Sequence, residues 1–316
     1  MLYALYVVTM SVTVIIPTLN AGRHLPRLFQ ALKEQTVPCE LLIIDSSSSD
    51  DTIAIARSFG AETVSVRRED FDHGGTRSLA VQYAHGDILV FLTQDVVPAN
   101  GRALENLIKP LGLPDVGAAY GRQLPNPGAS PFAAHTRLFK YPAEPCVKSG
   151  QDRDKYGIET PFLSDSFSAY RKEALLEIGL FKRGIIFGED VYAGAKLILA
   201  GYRIAYAPEA LAYHSHNHTM AEEFKRYFDT AVFYQSEAWI GEAFGTNSGE
   251  AWRFLNSEFS YLRKQGNPLL LLQFFPRNAL RVIGFSLGRS FRILPRAVCR
   301  RFSANPGWWD RAERGT

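Results

Sequence analysis

No run of roughly eighteen or more uncharged apolar residues occurs in the chain, so no transmembrane helix is expected. Cysteine is scarce: Cys39, Cys146 and Cys299 stand far apart, without metal-binding or redox spacing. An odd, unpatterned set points to a reducing compartment and argues against a disulfide framework. Two glycine signatures are missing. After the first strand the sequence reads Pro17-Thr18-Leu19-Asn20-Ala21-Gly22 rather than Gly-x-Gly-x-x-Gly, which disfavours a dinucleotide-binding dehydrogenase. A phosphate-cradling Gly-Lys-Ser/Thr loop is also lacking. Acidic residues are absent from Asn267 to Trp309, although the net charge of the whole chain is only +3. No recognised nucleic-acid module accompanies that basic stretch, and no nucleic acid is expected as a partner.

What is present suits a globular enzyme. With 316 residues, 46% apolar and 21% charged, the chain is long enough for one large α/β domain with an appendage. Met1 to Val8 is apolar, lacks a basic n-region and is too short to span a bilayer. Strand-like residues begin again at Val12, which leaves two candidate starts, Met1 and Met10, the latter making the first nine residues a misassigned extension.

From Val12 the pattern alternates. A strand over Val12–Ile16 is stopped by Pro17, and a helix follows over Arg23–Glu34. A second strand, Leu41–Ile44, ends in Asp45. The serine run Ser46–Ser49 then leads into a helix over Thr52–Phe59, closed by Gly60. After a strand at Val64–Val66 comes His73-Gly74-Gly75-Thr76-Arg77, a flexible turn entering a helix up to Ala84. Ile88–Leu92 is a continuous apolar run, as in a fully buried parallel strand. It ends in Thr93-Gln94-Asp95, with Pro98 placed to open the next helix. Such alternation predicts βαβ units and a mostly parallel sheet covered on both faces. Asp95 alone reads equally well as a helix or turn cap. Asp45 at the same sheet edge favours a ligand site, since open α/β sheets bind ligands beyond their strand C-termini.

Leu113 to Thr160 is punctuated by six prolines and reads as a functional loop with one helix near Phe132–Lys140. Order resumes with a strand at Ser166–Tyr170 and a helix at Lys172–Ile178. Glu189-Asp190 precedes a helix over Val191–Ala200; its plain alternative is acidic charge favoured at a helix N-terminus. Strands are expected at Arg203–Tyr206 and Ala210–Tyr213, followed by His214-Ser215-His216-Asn217-His218. Such a histidine cluster is usually solvated, but near a strand-end aspartate it could hold Mg2+ or Mn2+ through mixed oxygen and imidazole ligands.

The C-terminal third reads as helices over Met220–Ala243 and Ala251–Leu262. Beyond Pro268, Leu269–Leu272, Phe274 and Phe275 are followed by Arg277, Arg281, Arg289, Arg292, Arg296, Arg300 and Arg301. Phe285, Phe291, Phe302, Trp308 and Trp309 are interleaved. This composition predicts a membrane-surface anchor. The alternatives are a homodimer interface and a helix packed on the rest of the chain.

These residues together resemble glycosyltransferase family 2, and within it the bacterial rhamnosyltransferase-like branch, over roughly Val12 to Thr230. The resemblance rests on Val14-Ile15-Ile16-Pro17-Thr18-Leu19-Asn20, Ile43-Ile44-Asp45-Ser46 with Asp50-Asp51-Thr52, Phe71-Asp72-His73-Gly74-Gly75-Thr76-Arg77, Phe91-Leu92-Thr93-Gln94-Asp95, Glu189-Asp190 and Phe224-Lys225-Arg226-Tyr227-Phe228-Asp229. It implies a GT-A nucleotide-sugar-binding fold over residues 1–218 and a helical C-terminal extension over 219–316. It also implies an inverting transferase that moves a sugar from a nucleoside diphosphate donor, dTDP-L-rhamnose in this branch, to a saccharide hydroxyl. In that role Asp190 is the expected base, and Glu189 orients the acceptor or structures the loop. Thr18, Asp45, Arg77, Gln94 and Asp95 would contact the nucleotide sugar. Asp95 with His214, or alternatively His216, would ligate a divalent cation (Mg2+ or Mn2+). A membrane tail fits a lipid-linked acceptor and a peripheral position on the cytoplasmic face of the cell membrane. A processive synthase is disfavoured, because transmembrane helices and a Gln-x-x-Arg-Trp motif are both missing.

Overall fold

The computed structural model describes residues 10–245 and 249–311; the expectation about Met1 to Val8 lies outside them. In chain order the strands are β1 (Val12–Thr18), β2 (Glu40–Asp45), β3 (Glu62–Ser65), β4 (Ile88–Leu92), β5 (Val97–Pro98), β6 (Val116–Leu124), β7 (Cys146–Lys148), β8 (Phe167–Arg171) and β9 (Arg203–Tyr213). The helices are α1 (Leu25–Lys33), α2 (Thr52–Ser58), α3 (His73–Tyr83), α4 (Ala103–Ile108), α5 (Pro131–Lys140), α6 (Arg153–Tyr156), α7 (Lys172–Glu177), α8 (Glu189–Leu199), α9 (Met220–Ser236), α10 (Ala238–Phe244), α11 (Glu250–Lys264), α12 (Pro268–Arg289), α13 (Arg296–Phe302) and α14 (Pro306–Arg311).

One sheet runs in the order β3-β2-β1-β4-β8-β6-β9-β5, with β7 paired to β9. The first four strands pair in parallel, as the βαβ alternation predicts. Beyond β4 the sheet is mixed: β8 is antiparallel to both β4 and β6, β6 and β9 are parallel, and β5 and β7 run against β9. The parallel sheet expected from the sequence therefore holds through β3-β2-β1-β4 and returns at the β6-β9 pair, with antiparallel pairings between and beyond them. Successive side chains of a strand point to opposite faces. Val14 and Ile16 accordingly pack with Leu25, Leu28 and Phe29 of α1, while Ile15 joins Phe91, Tyr170 and Phe181 on the other face.

Several local expectations are corrected. The proline-punctuated stretch contains β6, a nine-residue strand near the middle of the sheet. Its Gly117-Ala118-Ala119 segment carries little strand propensity, and burial between β8 and β9 supplies what propensity does not. Pro98 opens no helix; it lies in β5, opposite Ala212 of β9. The two strands expected around Pro208 are one, β9, with a register shift opposite Gly121/Arg122. His73-Gly74-Gly75 is no flexible turn but the first turn of α3, capped by Asp72, whose carboxylate accepts the Gly75 N–H at 2.8 Å. A β-carbon at Gly74 would collide with the Lys182 carbonyl oxygen, so the glycine lets the 181–188 loop lie directly on this helix.

Residues 219–311 share the catalytic body's core. Phe228, Val232, Phe233, Cys299 and Trp309 belong to the same apolar cluster as Tyr170 and Phe181. Much of the cationic tail is likewise internal. Arg277 and Arg281 are buried, bonded to Glu223 at 2.5 and 2.9 Å, and Arg281 also reaches Glu258 at 3.0 Å. The acid-free window hid these partners because they lie on α9 and α11. Trp309 is buried as well, so neither it nor these two arginines can meet headgroups. What α12 leaves outward is largely apolar: Leu269, Leu272, Phe275, Val282 and Ile283 are exposed on it along with Gln273, Ser286 and Arg289, beside Trp252 of α11. Among the described residues no helix is long and apolar enough to cross a membrane.

Candidate active site

Thr18 and Asp45 close β1 and β2 in direct register. The Thr18 hydroxyl donates to Asp45 Oδ1 at 2.9 Å. Ser48 donates its hydroxyl to Oδ1 at 2.5 Å and its backbone N–H to Oδ2 at 2.8 Å. A carboxylate can accept about four hydrogen bonds, so Asp45, although buried, keeps capacity for one more. Gln94 is committed elsewhere. Its side chain accepts the Leu19 N–H at 2.9 Å and donates to the Leu19 carbonyl at 3.3 Å, stitching the loop after β1 to the loop after β4. Expected as a nucleotide-sugar contact, it is here a backbone clamp that still keeps one amide N–H and one oxygen lone pair for a ligand.

Asp95 gains partners through β5. Pairing of Val97 with Tyr213 sets the aspartate beside the end of β9 and the histidines that follow. His214 Nε2 and His216 Nε2 lie 3.6 and 3.4 Å from Asp95 Oδ2, and 3.0 Å from each other. Both histidines, not one, therefore join the aspartate. Buried Gln123 accepts from Arg137 and from His214 Nδ1, both at 2.8 Å, while its own amide N–H donates to Ser164. That set fixes the amide orientation, leaves the proton on His214 Nδ1 and turns a bare Nε2 toward Asp95. Burial lowers the pKa of both imidazoles, His216 to about 4. Burial also opposes charge on Asp95, yet whenever the imidazoles take up a second proton their hydrogen bonding and charge pull it well below the usual carboxylate range. The donors fit a divalent cation. Two ligands about 2.1 Å from one octahedral ion, at right angles, lie about 3 Å apart, close to the spacing of the two Nε2 atoms. Among the described residues the three donor atoms all fall within 4.8 Å of one another.

The acids of α8 are held by Arg77. This arginine was expected to reach the nucleotide, but it is 4% exposed and faces Glu189 at 2.6 Å and Asp165 at 3.3 Å. Its position on α3 and the close approach at Gly74 turn it inward. Asp165, which the sequence reading missed, accepts from Ser168 and Tyr170, both at 2.7 Å, and donates its backbone N–H to Asp190 at 3.2 Å. The signal available was its place in Ser164-Asp165-Ser166, one turn before a buried strand. Burial raises Glu189, but Arg77 outweighs it and the net shift is downward. Asp165 is pushed up to about 6 by burial, against the pull of Arg77. Burial, then the charges of Glu189 and Asp165, raise Asp190 to about 8. Of the three acids only Asp190 is more than marginally exposed. It is a carboxyl tuned toward neutral pH at an open edge, as general bases are.

The loop before α8 is braced from the C-terminal region. Trp308 Nε1 donates to the Gly184 carbonyl at 2.8 Å, Asn305 donates to Ile186 at 3.1 Å, and Arg311 donates to Phe71 at 2.9 Å. Asp229 fixes this brace by accepting the Ala304 and Asn305 backbone N–H groups.

Comparison with known proteins agrees with this geometry. The profile described as Glycosyl transferase family 2 matches residues 13–179. The chain is 42% identical over 307 residues to the O-antigen chain rhamnosyltransferase RfbN of Salmonella typhimurium, covering 95% of this chain and 96% of the relative. It is also 42% identical to WbaN of Salmonella anatum, another O-antigen chain rhamnosyltransferase, at 95% and 96% coverage. Among solved structures, the mannosyltransferase PcManGT from Pyrobaculum calidifontis, in complex with GDP-Man and Mn2+, superposes with a TM-score of 0.62. The match has 18% identity and covers 90% of this chain and 88% of that one.

Proposed function

Because this chain belongs to glycosyl transferase family 2, and is a glycosyltransferase, we propose that it transfers L-rhamnose from dTDP-L-rhamnose to a hydroxyl of a lipid-linked saccharide in bacterial surface polysaccharide synthesis. The single observation that carries the chemistry is the convergence of Asp95, His214 and His216 at the sheet edge that also presents Thr18 and Asp45. The rhamnose assignment rests on 42% identity along nearly the whole length of two rhamnosyltransferases.

In this reading Asp45 and Thr18 receive the nucleoside. Asp95, His214 and His216 would hold the divalent ion, which supplies charge neutralisation to the leaving diphosphate when bound. Two imidazoles make the set softer than Mg2+ prefers and favour Mn2+. Asp190 accepts the proton of the acceptor hydroxyl as its oxygen bonds to the anomeric carbon. The bond from that carbon to the diphosphate oxygen breaks, and the family's stereochemistry is inversion. Glu189 and Asp165, held by Arg77, keep Asp190 basic enough to take that proton. Titration of dTDP, UDP and GDP with and without Mn2+, followed by transfer assays with the matching sugars, tests the reading. Metal-independent binding of all three nucleotides, or of none, would count against it.

Membrane association belongs to the same proposal, with its face revised. The outward apolar side chains of α12 and Trp252, flanked by exposed Arg263, Lys264, Arg289 and Arg292, suit an anionic bilayer surface. Liposome flotation of wild type and Leu272→Asp/Phe275→Asp protein checks it; equal recovery on anionic vesicles removes this face as the contact.

A further inference from the structure

A cavity of about 120 Å3 opens beside His216 and is lined also by Arg137, His218, Glu223, Arg226 and Arg281; the Glu223 carboxylate is spent on Arg277 and Arg281. Its three arginines are not equivalent. Arg281 is saturated by Glu223 and Glu258, with four of its contacts at 2.9–3.1 Å. Arg137 donates one N–H to the neutral Gln123 amide, and among the described residues no carboxylate stands within ion-pair distance of it. Arg226 also lacks a carboxylate at that range among the described residues; it extends over the Phe187 ring, 5.9 Å from its centroid. Phe187 precedes the base-bearing turn Gly188-Glu189-Asp190, so this cation bridges the two halves of the site.

Two guanidinium groups without a carboxylate at ion-pair distance among the described residues, half-buried Arg137 from α5 and solvent-exposed Arg226 from α9, thus converge on a cavity that shares His216 with the cation cluster. Like charges so arranged cost free energy unless an anion joins them, and planar N–H forks match phosphate oxygens in pairs.

We propose that Arg137 and Arg226 form a diphosphate subsite adjoining Asp95, His214 and His216. The proposal deepens the transferase reading and rests on it. The diphosphate has two sources, the nucleotide leaving group or a prenyl diphosphate carrying the acceptor saccharide. Calorimetric titration of dTDP, inorganic pyrophosphate and farnesyl diphosphate, with Mn2+ at fixed ionic strength, separates them in wild type, Arg137→Met, Arg226→Met and Asp95→Asn. A loss of about tenfold or more in dTDP and pyrophosphate affinity in both arginine variants assigns the subsite to the leaving group. The same loss confined to farnesyl diphosphate assigns it to the acceptor. Affinities for all three probes within about twofold of wild type in both arginine variants overturn the proposal. If Asp95→Asn loses dTDP in that experiment, the transferase reading survives alone; a wild type that binds no diphosphate overturns both. Arg226→Lys keeps the charge without the fork and should restore part of the affinity. Melting curves exclude unfolding as the cause.

Discussion

Replacing Arg77 with methionine removes the cation that, among the described residues, Glu189 and Asp165 share, while roughly conserving side-chain length. Breaking a buried ion pair by deleting one partner costs about 3–5 kcal/mol, because the remaining charge is stranded away from water. For domains of this size each kcal/mol lowers the melting temperature by about 2–4 °C, so a drop of roughly 6–20 °C is expected near pH 8. The loss must also depend on pH. Without Arg77 the burial that already raises Asp165 is opposed only by its hydrogen bonds from Ser168 and Tyr170, and Glu189 moves up with it. A carboxyl whose folded pKa exceeds its unfolded value of about 4 binds more protons when folded. Its contribution is intact at low pH and is lost as pH rises through the folded pKa. The deficit against wild type should therefore be small near pH 5. It should grow by up to about 1.4 kcal/mol per pH unit for each carboxyl kept protonated. Calorimetric melts of wild type, Arg77→Met and the exposed control Arg67→Met across that range make the measurement. A deficit that is flat with pH, or no larger than that of Arg67→Met, would refute the assignment of Arg77 as counter-ion of the acid cluster.

The base offers a second test. Asp190→Asn should lower kcat by about 10²–10⁴-fold with dTDP affinity nearly unchanged, whereas retained turnover would remove Asp190 from the reaction. In wild type kcat/KM should climb through the region of pH 8 as Asp190 loses its proton, and a flat profile would sink that role. Gln123→Leu deletes the acceptor that fixes the His214 tautomer, so Mn2+ affinity should fall about 10–100-fold by competition titration. An unchanged affinity would separate Gln123 from metal binding. Trp308→Phe loses the bond to Gly184 but keeps an aromatic ring; kcat should fall while the dTDP dissociation constant holds, and equal changes in both would argue for a general loss of structure.

Local signals carried much of this fold because β1, β2 and β4 are continuous apolar runs whose ends are marked by Thr18, Asp45 and Asp95. Asp190 stood out for a similar reason, as an acidic residue at the start of a long helix. What escaped depends on partners distant in the chain. β6 exists because β8 and β9 flank it, not because Gly117-Ala118-Ala119 favours a strand. Arg277 and Arg281 looked like a surface run because Glu223 and Glu258 are supplied from other helices. Arg77 had a side chain suited to a nucleotide, yet the acid cluster claimed it, and Gln94 spends part of its amide on Leu19; no spacing in the sequence announces either bond.

The brace on the base-bearing loop has a kinetic corollary. Arg311 reaches Phe71 across 240 positions, and Trp308 reaches Gly184 across 124. Contacts of that separation form only after a large chain closure has been made, and they lag behind the neighbouring-strand pairings of the N-terminal half. A chain diluted from denaturant should therefore pass through a form that already collects nucleotide at Thr18 and Asp45 but does not turn over. Dye-labelled dTDP binding would recover first, and sugar transfer would follow as the 303–311 segment docks.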